Sequence, residues 1–236
     1  MVQRVRLRYA KRDRLRFTSH RDFARAFERA LRRAAVPMAY SAGFNPHPKV
    51  SYVGAAPTGV ASEAEYLEIA LAAAVDVLRL RDALDAALPP GLDVLECVEA
   101  RPGTGALPDR IDASTWRVEL AGTEVTALAA AVAGFLDRAE MPVERLTRDG
   151  RRVLDARGPV VRLAVVPGSA PPALDLLVRQ TTPTVRPDDI LTALRTLGLD
   201  LPQPPRTTRL AQGSLDPTTG TLTDPLTPDR PTPAPT

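Results

Sequence analysis

The 236-residue chain is poor in chemically reactive side chains: one cysteine, Cys97, two histidines, His20 and His47, and aromatic residues at 4%. A single cysteine excludes an internal disulfide, a multi-cysteine zinc site and a self-contained iron–sulfur cluster. Few aromatics leave Ala, Leu and Val to build the core. No stretch approaches the roughly 18 consecutive apolar residues that a membrane span requires. The N-terminus, Met1-Val2-Gln3-Arg4-Val5-Arg6, alternates charged and apolar residues and carries no apolar signal core. These absences predict a cytoplasmic protein with no membrane partner, no cofactor and no resident metal. Hydrophobic residues at 44% and charged residues at 25% are ordinary for a globular chain. The length suits one large domain or two of roughly 100 residues each.

What is abundant is local positive charge. The formal net charge is only +3, but thirteen basic residues precede Ser51: Arg4, Arg6, Arg8, Lys11, Arg12, Arg14, Arg16, Arg21, Arg25, Arg29, Arg32, Arg33 and Lys49. Asp13, Asp22 and Glu28 alone oppose them there, giving +10 and leaving −7 for the rest of the chain. Such segregation is the footprint of a polyanion-binding surface.

Periodicity predicts an α+β protein of two tandem ferredoxin-like (βαββαβ) lobes. In the first, residues 1–101, Val5, Leu7 and Tyr9 alternate with arginines as a half-buried strand, and Leu15 and Phe17 resume the alternation. Ser19, followed by Asp22, caps a helix that runs to about Ala35 and stops at Pro37. Strands follow at Met38–Tyr40, Lys49–Val53 and Glu65–Leu71, then a helix at Val75–Leu88 and a closing strand at Leu92–Val98. Pro102–Pro108 reads as a linker. In the second lobe, residues 113–211, a strand at 116–120 and a helix at 125–136 precede a hairpin signal at Asp149-Gly150. Paired strands at 160–166 and 173–179, a helix opening on Pro187 and a strand at Thr207–Leu210 complete it. Residues 212–236, rich in Thr and Pro, read as a disordered tail.

The helix after Ser19 is the most informative segment. Phe23, Phe27, Leu31 and Ala34 share one face, and Arg21, Arg25, Arg29, Arg32 and Arg33 lie along the other. With Arg4, Arg6 and Arg8 on the strand, and Arg14 and Arg16 between, they form a candidate RNA-binding surface. In the loop Tyr40–Ser51, prolines bracket His47 and Gly43 allows an unusual backbone. Phe44 could stack on a base, Asn45 could read a base edge, and His47 and Lys49 could meet the backbone. His20 and His47 are also candidates for acid–base cleavage of RNA without metal. A metal site built from both and one of Glu63, Glu65 or Glu68 has no supporting spacing. The bland alternatives are a solvated helix face and a connector loop.

Two segments carry a family resemblance. Phe17-Thr18-Ser19-His20-Arg21-Asp22 with Arg25 and Arg32-Arg33-Ala34, and Pro37-Met38-Ala39-Tyr40-Ser41-Ala42-Gly43-Phe44-Asn45-Pro46-His47-Pro48-Lys49, resemble the radical-SAM-linked (radical-SAM-associated) protein family. That family is defined by a domain of unknown function, and the resemblance covers about residues 2–100 closely and 113–210 loosely. It implies an accessory role beside a radical-SAM enzyme, or beside an RNase E/G-type ribonuclease or ribosome-associated partner. The chain itself lacks the three-cysteine cluster signature. The expected function is therefore a non-catalytic RNA-binding protein of RNA processing, RNA modification or ribosome assembly. The alternatives are a metal-independent endoribonuclease, to which the expected fold is analogous in CRISPR RNA-processing nucleases, and a module docking an acidic partner enzyme.

Overall fold

A computed structural model describes residues 1–147 and 150–231. The chain is α+β, with four α-helices among the described residues. It divides into two units: Met1–Arg110 together with the segment from Thr223 onward, and Ile111–Leu222.

The first unit contains β1 (Gln3–Lys11), α1 (His20–Arg33), β2 (Val50–Val53), β3 (Ala61–Leu71), α2 (Val77–Ala87) and β4 (Leu92–Glu99). Its strands lie in the order β4-β1-β3-β2, every adjacent pair antiparallel. The alternation in β1 sets which side is buried. Val5, Leu7 and Tyr9 join Leu67, Ile69 and Leu71 of β3 and Phe23, Phe27 and Leu31 of α1 in one core. Leu80 and Leu84 of α2 enter the same core. The Tyr9 and Phe23 rings stack with centroids 4.4 Å apart.

Three expectations are corrected. Asp13–Phe17 is a 3-10 helix, because Asp13 takes a left-handed backbone (φ 47°) that ends the extended run. Met38–Tyr40 forms only isolated bridges, Met38 with Leu71 and Tyr40 with Pro48. Pro37 supplies no N–H, and of the two bridges only that of Met38 is to a strand, β3. The tail expected from Gln212 is ordered through 231: β10 (below) extends to Leu215, and Leu226 and Asp229 are buried. Residues 223–231 contain no long apolar pattern, so nothing local signals that Leu226 and the ion pairs of Asp224, Asp229 and Arg230 anchor them. Residues 232–236 lie outside the described residues.

The second unit contains β5 (Ala113–Glu119), α3 (Val125–Leu136), β6 (Pro142–Thr147), β7 (Gly150–Asp155), β8 (Val160–Val165), β9 (Ala173–Arg179), α4 (Pro187–Thr196) and β10 (Arg206–Leu215). Its sheet runs β10-β5-β9-β8, again antiparallel throughout. Numbering those four strands by their own order gives the same 4-1-3-2 arrangement as the first unit. β6 and β7 form a separate two-stranded hairpin inserted between α3 and β8. Thr147 pairs with Gly150 across it, while the Asp149 half of the expected turn lies outside the described residues. Arg145 of β6 donates to both carboxylate oxygens of Asp189 in α4, at 2.9 and 2.6 Å, which fastens the insert to its own unit.

Candidate nucleic-acid interface

The α1 helix forms as its sequence dictates. The Ser19 hydroxyl accepts from the Asp22 N–H at 3.2 Å and donates to the Asp22 carboxylate at 2.6 Å, closing the first turn. Phe23, Phe27, Ala30 and Leu31 are buried. At the C-terminus Ala35 adopts a left-handed conformation (φ 48°), and the Val36 N–H reaches the Leu31 carbonyl at 3.0 Å. The face left over carries Arg21, Arg25, Arg29, Arg32 and Arg33, all exposed. Arg25 lies 4.0 Å from Asp22, and Arg33 donates to the Ala87 carbonyl at 3.4 Å. Arg21, Arg29 and Arg32 have no ion pair among the described residues. Their charge faces solvent.

The strand arginines are elsewhere. Because Val5, Leu7 and Tyr9 point at α1, Arg4, Arg6 and Arg8 point from the opposite side of the sheet. There they meet acids. Arg6, 3% exposed, donates to Glu68 at 2.8 Å and to Asp229 at 2.7 Å. Asp229, its side chain fully buried, also accepts from Arg110 at 2.5 Å, Thr104 at 2.9 Å and the Arg101 N–H at 3.0 Å. Burial alone would raise its pKa, but the hydrogen bonds from Arg110, Arg6, Arg101 and Thr104 outweigh it and hold the carboxyl at about 2. Arg8 lies 3.5 Å from Asp224 and 3.8 Å from Glu96, and both acids also pair with Arg230. Arg4 stays exposed, 3.7 Å from Glu68. One stretch of basic sequence thus splits into an open helix face and a neutralised sheet face. Sequence reasoning missed Glu68, Glu96, Asp224 and Asp229 as partners of Arg6 and Arg8, because they stand between 62 and 223 residues from those arginines.

Between these faces, Arg14 is exposed and Arg16 lies over the Phe17 ring at 4.7 Å. Arg12 instead bridges Glu63 and Asp93, and those acids raise its pKa further.

The Tyr40–Lys49 loop is a closed structure. Ser41 N–H donates to the His47 carbonyl at 2.9 Å, and His47 N–H donates back to the Ser41 hydroxyl at 3.0 Å. Gly43 sits at φ 134°, a conformation that side chains resist. Phe44 is fully exposed at the tip, with Asn45, His47 and Lys49 also in solvent. The loop and α1 flank an open cavity of about 370 Å³ lined by Glu28, Arg32, Tyr40 and His47. Lys49 does not join it. It lines a separate cleft of about 450 Å³ with Arg4, Ser51 and Glu68.

The two histidines stand on different elements, His20 on α1 and His47 in the loop. His20, in the first turn of α1, packs edge-on against Tyr52, with centroids 4.9 Å apart. His47 lines its cavity together with Glu28, Arg32 and Tyr40. Among the described residues no three His, Cys, Asp or Glu side chains are grouped to hold a metal ion. Glu63 is engaged by Arg12, Glu65 accepts from the Ala56 N–H at 3.0 Å, and Glu68 is engaged by Arg6.

These features define an α+β protein with an exposed arginine helix face beside a hydrogen-bonded, aromatic-tipped loop, in which no helix among the described residues is long and apolar enough to cross a membrane. Residues 4–187 match the family described as an uncharacterized protein conserved in bacteria (DUF2344), and the chain belongs to that family. Both motif segments, 17–34 and 37–49, fall within the match. The family description records a domain of unknown function and no radical-SAM partner. No curated protein matches the chain.

Proposed function

We propose that the protein is a non-catalytic RNA-binding module of the bacterial cytoplasm, acting beside RNA-processing, RNA-modifying or ribosome-assembly machinery. The observation that carries this reading is the outer face of α1. Five arginines stand there on a helix whose other face is committed to the core. The neighbouring loop adds Phe44, Asn45 and His47. Helix arginines hold phosphates, and the exposed ring offers a stacking platform that tolerates any base. Arg14 and Arg16 extend the same charge toward the start of α1. Arg6 and Arg8 are left out of the surface, since their guanidinium groups serve internal carboxylates. On this reading both units are ferredoxin-like lobes, the second carrying an inserted hairpin, and the antiparallel 4-1-3-2 strand order of each supports it. A radical-SAM enzyme or an RNase E/G-type ribonuclease is the partner that the family resemblance favours.

The test is a titration against single-stranded and structured RNA over a range of salt, with each RNA run afterwards on a denaturing gel. Neutralising about five phosphates gives a log–log slope near −3.5, at about 0.7 per single-strand contact. Exchanging Arg21, Arg25 and Arg29 together for Glu should abolish binding in a folded protein. Unchanged affinity in that variant refutes the reading. Cut RNA promotes the endoribonuclease, and no binding at low salt assigns the basic face to an acidic protein.

A further inference from the structure

We propose that the cavity between the last turns of α1 and the Tyr40–Pro48 loop holds one unpaired guanine base, with Glu28 as the reading residue; this deepens the RNA reading above and rests on it. The cavity, about 370 Å³, falls in the range of roughly 300–1,000 Å³ typical of small-ligand sites. Leu31 and Met38 supply apolar wall, and Tyr40, about half exposed, supplies an aromatic ring.

The telling pair is Glu28 and Arg32. They stand one helical turn apart, the spacing at which a carboxylate and a guanidinium ordinarily pair. Both line the cavity, yet neither has an ion pair among the described residues. A carboxylate in the midst of five arginines also repels phosphate, so on an RNA-binding face it is a liability unless it meets N–H donors. Bases supply them. A carboxylate offers two acceptor oxygens side by side and therefore selects two adjacent donors. Of the four bases only guanine has that pattern on its pairing edge, N1–H beside the N2 amine. Adenine and cytosine place a ring-nitrogen acceptor beside their amine, and uracil flanks N3–H with two carbonyls. Arg32 is placed to take the phosphate of the bound nucleotide, and Phe44 to stack on a neighbour.

The experiment compares fluorescent oligouridine RNAs bearing one central guanosine, inosine or adenosine, with GMP, IMP and AMP titrated in parallel by calorimetry. The guanosine RNA should bind at least tenfold tighter than the adenosine one, as expected of a good two-bond base contact. Inosine, lacking the N2 amine, should lose most of that gain. Glu28→Gln replaces one acceptor by a donor, matching adenine instead, so the preference should move from guanosine toward adenosine. Circular dichroism confirms that the variant is folded. RNA bound without regard to the central base, or a Glu28→Gln variant that keeps the guanosine preference, overturns the pocket and leaves the RNA reading intact. GMP bound with the same sensitivity while RNA is ignored supports the pocket and refutes the RNA reading. Neither bound overturns both.

Discussion

Asp229→Asn preserves volume in the first unit but removes the charge that Arg6 and Arg110 share. The amide also presents N–H groups to two guanidinium donors. Breaking one side of a buried ion pair typically costs about 3–5 kcal/mol. Arg6 retains Glu68 at 2.8 Å, which places the expected loss near 3 kcal/mol. With a urea slope of about 2 kcal/mol per molar, the midpoint should fall by roughly 1.5 M. The two units can be followed separately, because all four tyrosines, Tyr9, Tyr40, Tyr52 and Tyr66, lie in the first and the single Trp116 in the second. Tyrosine circular dichroism in the near ultraviolet should report the shift. The pH dependence gives a second reading. The folded carboxyl titrates at about 2 against an ordinary value of 3.8, so its contribution is present above about pH 4 and is lost as pH falls toward 2. Roughly 2 kcal/mol of acid sensitivity should thus vanish in Asp229→Asn. Asp224→Asn, in a more exposed pairing, should cost under about 1 kcal/mol. A midpoint for Asp229→Asn within about 0.3 M of wild type would show that the buried cluster is not what holds residues 223–231.

Ala35→Gly should raise the melting temperature by a few degrees, worth roughly 0.5–1 kcal/mol, because Ala35 sits at φ 48° in a helix-ending position that glycine fills without strain. Phe44→Ala should leave stability within about 0.5 kcal/mol, since the ring is wholly exposed, while lowering RNA affinity on the order of tenfold. Asp155→Ala should destabilise the second unit by about 1–3 kcal/mol, read from Trp116 fluorescence in urea, through loss of bonds from the Met141, Arg157 and Gly158 N–H groups. Burial pushes the Asp155 pKa up but those bonds bring it below its ordinary value, so this contribution too should fade as pH drops below about 4.

The helices and most strands are readable from the chain because their signals are local. Alternation at Val5–Tyr9, the Ser19 cap, the Pro187 start and the apolar spacing in α2 each depend on residues a few positions apart. Where the fold departs from that reading, the cause is a conformation or a partner that spacing does not encode. Asp13 in a left-handed conformation turns an apparent strand into a 3-10 helix. β7 carries Arg151, Arg152 and Val153 in solvent, so its alternation is weak, and its pairing with β6 defines it. The candidate site divides the same way. The α1 arginine face follows from helical geometry alone, and Gly43 does take the backbone that its place in the loop implies. That Arg6 is spent on Asp229, that His20 packs against Tyr52, and that Glu28 and His47 border one cavity are all matters of tertiary placement.

The buried cluster around Asp229 also sets an order of events during synthesis. Arg6 is made 223 residues before the carboxylate that neutralises it, and Arg110 is made 119 residues before it. At about 5–20 residues per second those intervals are roughly 10–45 s and 6–25 s. Once residue 110 has been made the first unit has its helices and four strands, but for the later of those intervals Arg6 has Glu68 alone as its acid and Arg110 has only backbone carbonyls. The whole second unit is translated inside the same interval. The first unit is therefore complete only when its closing segment, 223–231, arrives, after the whole intervening unit has been made.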